Sequence, residues 1–74
     1  MNRTPHFDDV AECVNALRFA GIDPVQRPHH AAQRLYELRL SFARFTGRAQ
    51  AELLERVQRE YAALTQPEDM ARAA

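Results

Sequence analysis

The sequence predicts an all-α fold: a small three-helix bundle or long helical hairpin, completed by self-association. Three observations lead there. Apolar residues recur three and four apart along most of the chain, the period of one helical face. Prolines and glycines fall between those periodic runs. Finally, 74 residues with one cysteine have neither an internal disulfide nor a large core, and the staple left to so short a chain is a second copy. The expected helices span about residues 5–20, 28–46 and 48–65. They form one domain, residues 1–66, and residues 67–74 are expected to fray as a C-terminal tail.

The first helix is punctuated at both ends. Thr4 suits the N-cap and Pro5 the first helical position, where a missing N–H costs nothing. Asp8 and Asp9 complement the positive end of the helix dipole. Phe7, Val10, Ala11, Val14 and Leu17 make one apolar stripe, and Phe19 points away from it. Gly21 is the expected left-handed terminator, with Ile22 returning to touch Leu17.

Asp23 to Pro28 must be a connection, because Pro24 and Pro28 cannot both sit in the first turn of one helix. The second helix starts at Pro28. Ala31, Leu35, Leu38, Phe42, Phe45 and Ala49 make a heptad-like seam along it. Ala32, Tyr36, Leu40 and Ala43 form a second strip, roughly 140° around the cylinder. A helix that is apolar on two sides needs two neighbours. The first helix can cover one side; the third helix or another subunit must cover the other.

Thr46-Gly47 is the joint to the third helix. The seam changes phase there, to Leu53, Leu54, Val57, Tyr61 and Leu64, and a phase change favours a turn over an unbroken rod. Glu52–Arg56 and Glu55–Arg59 are i, i+4 pairs on the wet side of that helix. Pro67 stops it, and Thr65-Gln66-Pro67-Glu68 fits a capping box for one more turn.

Charge and composition bear on function. Ten arginines balance ten acids, so there is no overall attraction to nucleic acid or to an acidic membrane. Lysine is absent, and this bias towards Arg and Ala is what a GC-rich coding sequence produces, hence a bacterial origin is expected. No apolar run approaches the length of a transmembrane segment, and the N-terminus lacks the apolar stretch of a signal peptide; a cytoplasmic location is expected. The charge is unevenly spread, with five arginines and one acid between Arg27 and Arg48. On a continuous second helix Arg27, Arg34, Arg44 and Arg48 cluster within about 100°, a candidate anion-binding face.

Chemistry-bearing residues are few. His6, His29, His30 and Cys13 have no i, i+4 pairing, so no metal site is expected. Cys13 lies mid-helix beside the apolar stripe and reads as a buried structural thiol. Asp8, Asp9 and Glu12 are explained by capping and dipole complementarity, and no glycine-rich phosphate loop exists. The expectation is therefore no catalytic residues and no cofactor. Phe7, Phe42, Phe45 and Tyr61 read as core; Phe19 and Tyr36 read as interface anchors.

The function expected is a non-catalytic helical interaction or adaptor module. It self-associates, with a dimer favoured, through Phe19, Leu35, Tyr36, Leu38, Leu40, Phe42 and Phe45. Two alternatives stand beside it: a nucleic-acid-binding regulator using the Arg face, and an accessory or regulatory segment of a larger assembly such as an enzyme or a membrane protein.

Overall fold

Residues 4–64 are described by a computed structural model of the chain. They form an all-α bundle of four helices: α1 (Phe7–Ala20), α2 (Pro28–Glu37), α3 (Ser41–Arg44) and α4 (Gly47–Leu64). The tail expected at 67–74, with the extra turn after Thr65, lies outside the described residues.

The start of α1 differs from the capping expected at Thr4 and Pro5. His6 is the N-cap and the helix begins at Phe7. A carboxylate oxygen of Asp9 accepts the His6 N–H at 2.8 Å, which fixes the first turn two residues later than Pro5 alone would set it. Pro5 is instead drawn into the protein, and its carbonyl accepts a hydrogen bond from Arg56 on α4 at 2.6 Å. Arg56 is thus an internal tie, not half of a surface pair with Glu52. The Glu55–Arg59 pair does form, at 3.9 Å, with both side chains largely in water.

The C-terminus of α1 follows the sequence. Gly21 adopts φ 74°, its N–H reaches the Arg18 carbonyl, and the Ile22 N–H reaches the Leu17 carbonyl at 3.0 Å. This is a Schellman ending, with buried Ile22 supplying the apolar contact. The connection is then held by Asp23, whose carboxylate accepts the N–H groups of Val25 and Gln26 in an Asx turn. Pro28 opens α2 as expected.

The stretch expected as one helix over 28–46 is interrupted. Backbone bonds continue to Leu38 and Arg39, whose N–H groups reach the Arg34 and Tyr36 carbonyls. Arg39 then turns left-handed at φ 55°, and the chain re-enters a single helical turn at Ser41. The acceptor for the new turn is tertiary: Glu12 of α1 takes the Ser41 N–H at 3.0 Å, which in a straight helix would go to the Glu37 carbonyl. The break turns Phe42 and Phe45 back into the core.

Gly47 begins α4 at φ 57°, so the expected turn is present there. The core joins Val10, Cys13, Val14 and Leu17 of α1 to Leu35 of α2, Phe42 of α3 and Leu53 and Val57 of α4. Tyr61 packs against its margin. Phe7, expected in that core, is 71% exposed, because a helix that starts at Phe7 leaves its first side chain beyond the end of the stripe.

Candidate functional site

The features least explained by packing gather at the α2–α3 joint. Its polar scaffold comes from distant helices. One carboxylate oxygen of Glu12, on α1, accepts both the Ser41 N–H at 3.0 Å and the Ser41 hydroxyl at 2.8 Å. A four-residue helix cannot satisfy its own first N–H groups, and Glu12 supplies that acceptor from outside. At the other end of α3 the Gln50 amide donates to the carbonyls of Phe42 at 3.0 Å and Phe45 at 2.9 Å. The short turn is therefore held at both ends by side chains of α1 and α4. Glu12, read from the sequence as capping and dipole complementarity, is a tertiary tie, and its partner 29 residues away left no local signal.

Next to this scaffold the surface is apolar. Tyr36 is 58% exposed and Leu38 is 47% exposed, while Leu40 packs against the core margin. Tyr36, Glu37, Arg39 and Ala43 line a shallow depression of about 330 Å³. On α1, Phe19 is 96% exposed. A smaller depression of about 150 Å³ lies among Phe7, Val10, Arg56, Arg59 and Glu60.

The seven residues expected at an interface therefore divide. Phe19, Tyr36 and Leu38 lie at the surface. Leu35, Phe42 and Phe45 do not: they are buried in the protomer's own core, because the break at Arg39 lets α1 and α4 cover the flank that a straight helix would leave open. Leu40 falls between the two groups.

The Arg face fares differently again. Arg27, Arg44 and Arg48 are exposed, and Arg34 lies 3.9 Å from Glu37. Their clustering assumed one helical phase from 27 to 48, and the interruptions at Leu38–Leu40 and Phe45–Thr46 remove that phase. They do not constitute one continuous stripe.

Cys13 is fully buried, and burial pushes its thiol from 9.0 up to about 11, with the negative charge of Glu12 adding to the effect and hydrogen bonding to Ser41 and Phe42 opposing it. A thiol held protonated at neutral pH is a poor nucleophile, in keeping with a structural role. Among the described residues no three His, Cys, Asp or Glu side chains are placed to hold a metal ion, and no helix is long and apolar enough to cross a membrane.

Compared with known protein families, curated proteins and solved structures, the chain shows no match.

Proposed function

We propose that the protein is a non-catalytic helical interaction module that self-associates through the surface at the α2–α3 joint, with Tyr36 and Leu38 as anchors. The observation that carries this reading is the pair of large apolar side chains left half-exposed beside a depression that also holds Glu37 and Arg39. An acid and a base flanking the same apolar spot suit a two-fold contact, in which Glu37 of one copy meets Arg39 of the other. The zero net charge removes the long-range repulsion that would oppose a second copy. A thin core gives the chain a stability to gain by association.

Light scattering across a concentration series tests it. A dimer is expected at high micromolar concentration, and Leu38→Glu should return it to monomer while leaving the helical content intact. A wild-type protein that stays monomeric throughout overturns the reading. Titration with DNA and RNA at two salt concentrations separates the nucleic-acid alternative: binding that weakens steeply with salt, and that Arg44→Ala with Arg48→Ala reduces, would replace the proposal.

A further inference from the structure

We infer that the Leu38–Leu40 joint is a hinge through which two copies exchange their α3–α4 halves, forming a segment-swapped dimer. The inference rests on the self-association proposed above and gives it a mechanism.

Four observations converge on it. Arg39 holds a left-handed conformation at φ 55° that a non-glycine residue adopts only under strain. No glycine or proline lies between Pro28 and Gly47, and Ala31, Leu35, Leu38 and Phe42 keep seam spacing across the break, so nothing local prevents a straight helix. The bonds between the two halves all run from one half to the other: Glu12 to Ser41, Arg56 to Pro5, and Gln58 to the Pro24 carbonyl at 2.9 Å. So does the packing of α4 on α1, with Leu53 and Val57 in the shared core. Opening the hinge breaks every one of them and a second copy restores the Arg56, Gln58 and Ser41 hydroxyl bonds, the Ser41 N–H passing from Glu12 to the Glu37 carbonyl in the straight form. The Gln50 bonds that shape the α3–α4 half stay within it. Finally, Leu38 sits half-exposed at the hinge itself.

The balance follows from these contacts. A swapped dimer keeps the closed monomer's interface, releases the Arg39 strain twice, and adds a new contact where the two straightened helices pass each other at Leu38. It loses the translational freedom of one molecule, so it is favoured by concentration. Short hinges under strain are where such exchange occurs. In the straight form the Leu40 N–H gains the Tyr36 carbonyl as its helical acceptor.

The test uses wild type, Arg39→Gly and Arg39→Val, each refolded at high micromolar concentration, separated by size with light scattering, and followed by amide exchange. Glycine accepts the left-handed conformation and disfavours the straight helix, whereas a β-branched residue resists the left-handed conformation. Arg39→Gly should lower the dimerisation constant by roughly thirtyfold or more, since two hinges contribute per dimer. Arg39→Val should raise it, and the Leu40 amide should exchange at least tenfold more slowly in the dimer than in the monomer. A wild-type dimer that Arg39→Gly leaves equally populated, or whose Leu40 amide stays unprotected, overturns the hinge while leaving surface association standing. No dimer in any variant overturns both. If Arg39→Val does not fold, the glycine variant decides alone, its monomer serving as the folding control.

Discussion

The α1–α4 contact and the α2–α3 joint solve the same problem by opposite means. Between α1 and α4, long helices meet along apolar faces, and Val14, Leu17, Leu53 and Val57 are removed from water by ordinary packing. At the joint a single turn of helix is kept in place by three side-chain hydrogen-bonding groups, a strained residue and half-exposed leucine and tyrosine. The first region converts apolar area directly into stability. The second converts it only after polar ties have fixed the chain direction. In a domain this small, the first makes the fold and the second decides how it can change.

Substitutions should separate the two regions by size of effect. Leu53→Ala, in the packed contact, is expected to cost about 2–5 kcal/mol in chemical denaturation, enough to unfold much of the population at ambient temperature. If it costs less than Leu38→Ala, which removes a half-exposed side chain, the division fails. The alkaline limb comes next. Cys13 has a folded pKa raised from 9.0 to about 11, so the unfolded chain gives up the proton first. Stability is therefore full below pH 9 and falls as pH rises towards 11, by about 2 kcal/mol from this group. Stability measured against pH in Cys13→Ala should show a shallower alkaline slope than wild type.

Smaller effects belong to the joint. Glu12→Ala leaves the Ser41 N–H and hydroxyl without their acceptor and should cost about 1–2 kcal/mol, while Glu12→Gln keeps an acceptor oxygen and should cost roughly half as much. Equal losses in the two variants, read by thermal denaturation, would mean that charge, not the hydrogen bonds, holds α3. Phe19→Ser, far out in solvent, should change monomer stability by less than about 0.5 kcal/mol. A larger loss would place Phe19 in a contact with the bundle.

What the sequence made legible follows the range of the interactions involved. The Schellman ending at Gly21, the Asp23 turn, the start of α2 at Pro28 and the turn before α4 are each specified within a few residues, and each stands where local chemistry puts it. The break at Arg39 is different. Glu37-Leu38-Arg39-Leu40 holds no glycine or proline, and what sustains the break is Glu12 and Gln50, remote from it in the chain or on another helix. The same gap explains the candidate surface. Tyr36 and Phe19 could be placed outside because they lie off the phase of their own helices. Leu35, Phe42 and Phe45 could not be assigned to core or interface without knowing that the chain folds back to cover them.

One feature of α4 reaches into biosynthesis. Gln50, Arg56 and Gln58 all belong to this helix, and between them they fasten the segment before α1, the loop before α2 and the turn of α3. Apart from the Glu12–Ser41 tie, these latches are carried by the helix a ribosome makes after the other three. A nascent chain that has reached Thr46 owns all the parts to be fastened and only Glu12 among the fasteners, so it waits with its greasy faces open. The interval before α4 emerges is when neighbouring chains on one messenger are most able to close on each other.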